Sequence, residues 1–303
     1  MIIAVTGATG FVGGHVLKAA LASGHSVRAH IRAKTPEPPI TDPRLTWVRG
    51  DVFDPDLGRS LLEGADTLIH MAGLIKAQRR DDFFHINAGL VRHISHIADQ
   101  CHVERILLLS SMAARQAELS HYAASKRAGE DGLAAFNGVK IIIRAPAIFG
   151  PGDEATRPLI EAMGKGFLPV AGGRGWRERR LALAYAPDLA RDMIACLEHG
   201  YYDGIIVSPA NLTHISWPEF AKTAEPIVKR PIRLLPMPLW CLYPLAALTS
   251  LSSRFFGKGH FTLGKLREFL YEDWQSETQM ASITPIETAL RDTLKAYDEA
   301  SQR

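Results

Sequence analysis

IIAVTGATGFVGGHVLKAALASG, residues 2–24, is the stretch that decides the fold. Ile2 to Val5 form a short apolar run, long enough for a buried strand. Glycines at Gly7, Gly10 and Gly13 then break the run. From Phe11 onward the apolar positions Phe11, Val12, Val16, Leu17, Ala20 and Leu21 recur at helical spacing, and Gly24 is a natural stop. Strand, glycine turn and helix in this order suit a diphosphate. Gly7 permits a tight turn, Gly10 lets the backbone approach a ligand, and Gly13 lets helix and strand pack closely. The helix N-terminus then faces the negative charge. Glycine turns also serve merely to join a strand to a helix. Here the flanking elements support a dinucleotide cradle from Gly7, Thr9, Gly10, Phe11 and Val12.

The rest of the chain continues the alternation. Ser26 to Arg32 read as a second strand, followed by a Pro-rich loop at 36–39. An acid at the end of this strand would hold the adenosine ribose and repel a 2′-phosphate. Ile31 stands at that place instead, with Arg32 and Lys34 after it. A basic solvated loop is one reading; two cations replacing the acid favour NADP over NAD. Leu45 to Val48 form a third strand running into Gly50-Asp51-Val52, where Asp51 either faces the adenine with Val52 or caps the next turn. The fourth strand, TLIHMAG, ends in Ala72 and Gly73, small enough for the backbone to run beside a cofactor. LIKAQRRDD, with Lys76, Arg79 and Arg80, is a polar loop, either solvated or at a substrate entrance. Phe84 to Gln100 have helical spacing, Arg105 to Ser110 form a fifth strand, and Val139 to Arg144 a sixth. The pattern predicts an α/β fold: a doubly wound parallel (Rossmann) sheet, with Gly204 to Val207 as a seventh strand. The expected division is a dinucleotide-binding domain at 1–152 and 186–209. A smaller, mostly helical substrate-binding part takes 153–185 and 210–303.

Composition narrows the function. At 303 residues, 47% apolar and 22% charged, the chain has ordinary globular content. A net charge of +3 is too mild to imply nucleic acid. Cys101, Cys196 and Cys241 are far apart and form no CxxC, which speaks against disulfides and thiolate zinc and fits a reducing cytoplasm. No basic, apolar leader precedes Ile2, so no signal peptide is expected. His93 and His96 lack supporting carboxylates and read as surface histidines; no metal is expected. Arg174, Arg177, Arg179 and Arg180 around Trp176 either grip a substrate phosphate or form an exposed hairpin of alternating charge, the favoured reading. Leu234 to Leu251 carries no charge but is interrupted by Pro236, Pro238 and Pro244. It reads as soluble packing or a pocket wall, with membrane-interface contact through 234–256 as the alternative, helped by Arg254, Phe255, Phe256 and Lys258.

The chemistry concentrates between the fifth and sixth strands. Tyr122 and Lys126 lie four apart and therefore on one helix face. A phenol titrating near about 10 is a poor acid–base group at neutral pH. A neighbouring ammonium favours the phenolate and brings it into a useful range. Ser111, expected on the loop leaving the fifth strand, is placed to hold a substrate oxygen while Tyr122 exchanges its proton.

TGATGFVG, VRAHIR, GDV, HMAG, LLLSSMAA, YAASK, IIIRAPAIFGPGD and APDLA together resemble the extended or atypical short-chain dehydrogenase/reductase family. That group includes sugar-nucleotide epimerases, hydroxysteroid dehydrogenases and dihydroflavonol reductases. The resemblance implies a catalytic triad of Ser111, Tyr122 and Lys126, with Lys126 also on the cofactor ribose. It places Asp51-Val52 against adenine and Asn87 as a supporting asparagine. It also implies a homodimer through the helices near 85–100 and 121–136. Arg144-Ala145-Pro146 and Phe149 depart from the family's usual residues without touching the triad. The expected function is an NADP-dependent oxidoreductase acting on a small molecule, interconverting a secondary alcohol and a ketone. A nucleotide-sugar epimerase or dehydratase is the enzymatic alternative, disfavoured by the short Ser111–Tyr122 gap. A non-catalytic nucleotide-binding assembly subunit is the third reading, and the intact triad argues against it.

Overall fold

Ile3, Ala4 and Val5 are fully buried, which a strand achieves only when covered on both faces. They lie in β1 (Ile2–Thr6), an inner strand of the large sheet. The computed structural model describes all residues except 39, 201, 203, 257–260, 282 and 302–303; of 251–256, 300 and 301 it describes the backbone alone. Two compact units make up the chain: Met1–Arg144 with Ala190–Val207, and Ala145–Leu189 with Ser208–Arg303.

In the first unit α1 (Phe11–Ala22) returns the chain to β2 (Ser26–Ile31), which pairs in parallel with β1. β3 (Leu45–Arg49) extends the same edge. After α2 (Pro55–Leu62), β4 (Thr67–His70) pairs on the other side of β1. The helical run that follows is α3 (Arg80–Phe84), a π-helical turn (His85–Gly89) and α4 (Leu90–Gln100). β5 (Arg105–Ser111), a 3₁₀ segment (Met112–Leu119), α5 (His121–Gly132) and β6 (Val139–Ala145) complete the alternation. β7 (Ala147–Phe149), α6 (Arg157–Gly164), β8 (Phe167–Ala171), β9 (Arg180–Tyr185) and α7 (Ala186–His199) precede β10 (Ile206–Val207), which joins β6 in parallel. The seven-stranded order is β10-β6-β5-β4-β1-β2-β3. The order reverses between β1 and β4, the switch point where open α/β sheets bind ligands. One layer of the core holds Leu61, Leu68, Ile94, Ile97, Ile106 and Phe136.

Residues 210–303 of the second unit are mostly helical, as the spacing suggested, with short strands between the helices. α8 (Trp217–Val228), α9 (Leu239–Phe256), α10 (Leu263–Leu270) and α11 (Ile286–Ser301) alternate with β11 (Pro209–Ala210), β12 (Leu212–Ser216), β13 (Arg233–Met237) and β14 (Thr278–Gln279). β12, β9 and β7 form one sheet, β13 pairs with β8, and β11 with β14. These strands are short, and several contain Pro, so no alternation reveals them. β7 pairs with β9 instead of extending the large sheet. Phe149, Leu168, Trp176, Tyr185, Phe220 and Leu290 form this unit's own core.

The basic segment is not an exposed hairpin. β8 and β9 on its two sides belong to different sheets, Trp176 is in the core, and Arg179 is buried. The Arg179 guanidinium donates to the carbonyls of Ala171 and Gly172, at 2.7 and 3.0 Å, and Arg177 lies over the Trp176 ring. Among the described residues no helix is long and apolar enough to cross a membrane.

Candidate active site

The glycine turn is a cradle that side chains would fill. Gly7 has φ +75°, and a Cβ there would stand 2.7 Å from the Ala72 nitrogen at the end of β4. At Gly13 a Cβ would lie 2.2 Å from the Gly7 carbonyl oxygen, whereas at Gly14 it would meet nothing. α1 begins with Gly10 as its N-cap, without a side-chain cap and without an acid in its first turn. Its first N–H groups, without an intrahelical acceptor as at any helix start, also have no side-chain cap, which fits a diphosphate. Thr9 and Gly10 are exposed, and Phe11 and Val12 half-buried, along this turn.

Ile31 is 1% exposed and closes the core, so it presents nothing to a ribose. Arg32 and Lys34 are exposed on the following loop. Sequence reasoning missed what holds that loop: Arg49, the last residue of β3, donates to the carbonyls of Ala33 and Thr35, at 3.2 and 2.7 Å, and pairs with Glu37 at 3.0 Å. Asp51 accepts from the Phe53 N–H at 3.0 Å, the capping geometry, while Val52 is half-buried beside it.

Tyr122, Lys126 and Ser111 come from adjoining elements. Ser111 ends β5 itself, not the loop after it, and its Oγ accepts from the Ala113 N–H at 3.2 Å. Ser120 caps α5 through the Ala123 N–H at 2.9 Å, which fixes the helix start one residue before Tyr122. Tyr122 is half-buried, its ring set edge-on to Phe83 at 6.2 Å. One turn on, the Lys126 ammonium donates to the Leu109 carbonyl at 2.8 Å. Burial pushes its pKa down to about 8, with Glu130 acting in the opposite sense.

Gly73 and Asn87 complete the arrangement. A Cβ on Gly73 would lie 3.0 Å from Asn87 Oδ1 and 3.8 Å from Lys126 Nζ, so the end of β4, the π turn and α5 converge there. Asn87 is buried; its Oδ1 accepts from the Leu74 N–H at 2.7 Å, and its amide donates to the Leu74 carbonyl and Ser125 Oγ, both at 2.9 Å. Below Lys126, the Glu130 carboxylate receives Arg144 at 2.6 Å and Ser110 Oγ at 2.5 Å, tying α5 to β5 and β6. Buried His70, adjacent to β4's small residues, bonds Thr6 Oγ1 through Nδ1 at 2.8 Å. Burial first, then the Lys126 charge, lower its pKa to about 3.

His93 is not a surface histidine: it is half-buried against Phe53 at 5.7 Å, with a buried Nε2, while His96 is exposed. No cluster of three metal-ligating side chains exists among the described residues. Lys258 and the side chains of Arg254, Phe255 and Phe256 lie outside the described residues.

The sequence model of the NAD-dependent epimerase/dehydratase family matches residues 3–206. A ceramide reductase of Caulobacter vibrioides is 34% identical over 96% of this chain and 91% of its own length. A 3 beta-hydroxysteroid dehydrogenase/Delta 5-->4-isomerase of Mycobacterium tuberculosis is 29% identical over 74% of this chain and 65% of its own. The crystal structure of gox2253 superposes with a TM-score of 0.77 at 19% identity, covering 100% of this chain and 99% of that one.

Proposed function

The chain belongs to the NAD-dependent epimerase/dehydratase family, and from that premise we propose an NADP(H)-dependent oxidoreductase interconverting a secondary alcohol and a ketone on an apolar, lipid-like molecule. It is an NAD(P)-dependent enzyme of the short-chain dehydrogenase/reductase type. The observation that carries the finer reading is the Tyr122–Lys126 turn of α5, with the Lys126 ammonium anchored on the Leu109 carbonyl beside Gly73. A bound nicotinamide cofactor would supply the hydride chemistry; Gly10, Ala72 and Gly73 are the residues whose small size would leave room for it, and Gly7 and Gly13 let the turn close against the end of β4 and α1. Ser111 Oγ holds the substrate oxygen, and the Tyr122 hydroxyl gives or takes its proton. Lys126 is more than half charged below pH about 8, and its charge favours the Tyr122 phenolate. Arg32 and Lys34 favour the 2′-phosphate of NADP.

The substrate class is supported by two relatives whose names place them on a ceramide and a steroid, both apolar molecules. NADPH absorbance, followed with a long-chain oxo-lipid and with a sterol ketone, tests the reading. Stoichiometric loss of NADPH with at least one of them is expected. Epimerisation of a nucleotide sugar without added NADPH, and no oxidation with either ketone, would replace it with the epimerase reading.

A further inference from the structure

Residues 226–267 contain no Asp or Glu and carry seven Lys or Arg: Lys229, Arg230, Arg233, Arg254, Lys258, Lys265 and Arg267. Between Arg233 and Arg254 there is no charge at all. In a chain of net charge +3 this is a local concentration of positive charge around an apolar centre.

The apolar centre is not used for packing alone. Leu242 and Ala246 face inward from α9 and, with Leu266 of α10, form a small core. Ser250 Oγ fixes the same side by accepting from the Leu263 N–H at 3.0 Å. The opposite side carries Trp240 at 77% exposure, Tyr243 at 45% and Leu248 at 66%. These three stand three and five apart, within one broad helix face, and Leu245 widens it. β13 leads into that face with Leu235 and Met237, two apart and also exposed. A tryptophan and a tyrosine lead an otherwise aliphatic surface, and exposed Arg233 opens the strand that runs into it. That is the composition of a helix lying in a lipid headgroup layer, where aromatic rings sit at the interface and basic residues meet anionic lipid. α9 is too short and too weakly apolar to span a bilayer, and Pro244 interrupts it.

We propose that this surface, β13 and the outward face of α9, docks on the surface of an anionic lipid bilayer. The inference rests on exposure and charge in the second unit and does not depend on the catalytic reading. Aliphatic side chains and Trp240 enter the acyl boundary, and Arg233 and its neighbours meet lipid phosphates.

Flotation of the full chain with vesicles of phosphatidylcholine, alone or with one third phosphatidylglycerol, tests this. Wild type should float with the anionic vesicles, and less so at high salt, where the charge contribution is screened. A Trp240→Ser/Leu248→Ser variant should bind at least tenfold more weakly. Circular dichroism and a thermal melt check that this variant stays folded; these side chains are outside the packed core. Arg233→Glu, exposed and on the strand, should lose the preference for anionic over neutral vesicles while keeping the apolar face. The proposal is overturned if wild type floats with neither vesicle or if the double variant floats as wild type does. It is equally overturned if sedimentation shows a dimer that the double variant abolishes while vesicles are ignored, because a second copy would then cover the face.

Discussion

Tyr122 and Lys126 differ in how they are held, and the difference sets what substitution should do to each. The Lys126 ammonium is drawn out of water against the Leu109 carbonyl, whereas the Tyr122 ring is half-buried with its edge toward Phe83. Removing only the Tyr122 oxygen should leave that ring contact intact. Tyr122→Phe is therefore expected to keep fold and cofactor binding and to lose at least about 10²-fold in turnover. A variant that turns over the same ketone at near wild-type rate would mean the proton moves through another group. Cofactor choice also lives at this scale. A charge-assisted bond from Arg32 to a 2′-phosphate contributes about 1.5–3 kcal/mol, or roughly 10- to 150-fold in affinity. NADPH should bind at least about tenfold more tightly than NADH. Arg32→Ser should narrow the ratio. Exchanging Ile31 for an acid is a poor companion test, because Ile31 is in the core and a carboxylate there would be buried without a partner. Titration calorimetry with both cofactors reads the ratio directly, and equal affinities in wild type would refute the preference.

At the scale of elements, the β1-turn-α1 unit shows why two neighbouring glycines are not equivalent. A side chain at Gly13 would drive into the Gly7 and Ala8 carbonyls, and one at Gly14 would meet open space. Gly13→Val should weaken cofactor binding far more than Gly14→Ala; matched dissociation constants would place the diphosphate elsewhere. This unit was legible in the sequence because glycine spacing, a buried strand and a helical stripe all point to one geometry. Tyr122 and Lys126 were legible for the same reason: helical spacing alone fixes their common face. Asn87 was expected as a support only through the family resemblance, and the way it is held was not legible. The π turn at His85–Gly89 interrupts an otherwise helical pattern without changing its apolar stripe, and it places Asn87 against Leu74 and Ser125. Gly129, whose Cβ would stand 2.2 Å from the Asn87 carbonyl, is what lets α5 approach that turn. Such close approaches are fixed by elements far apart in sequence. Periodicity carries no trace of them. The short strands of the second unit stayed hidden because their pairing is with distant partners and their residues, including Pro169 and Pro236, do not alternate.

Stability against pH belongs to the molecule as a whole, and a buried histidine should set part of its acid limb. His70 titrates at about 3 in the folded chain, against 6.5 when free, because burial and the Lys126 charge both oppose its protonation. Between those values the unfolded chain binds the proton and the folded chain does not. His70's contribution is therefore complete above pH 6.5 and is lost as pH falls below it. At pH 5 the loss amounts to about 2 kcal/mol, a large part of the margin of an ordinary domain. His70→Asn removes the titrating ring but keeps a polar atom placed to reach Thr6 Oγ1, the bond that Nδ1 makes. At neutral pH this variant should be less stable than wild type, because the smaller side chain leaves a void in a fully packed place. The gap between the two proteins should shrink by about 2 kcal/mol between pH 7.5 and pH 5, since only wild type loses this contribution. Surface carboxylates such as Asp42 and Glu219 titrate alike in both proteins and drop out of the difference. Urea unfolding of both proteins at the two pH values reads the change. If the gap is the same at both, His70 is not the group that acid finds.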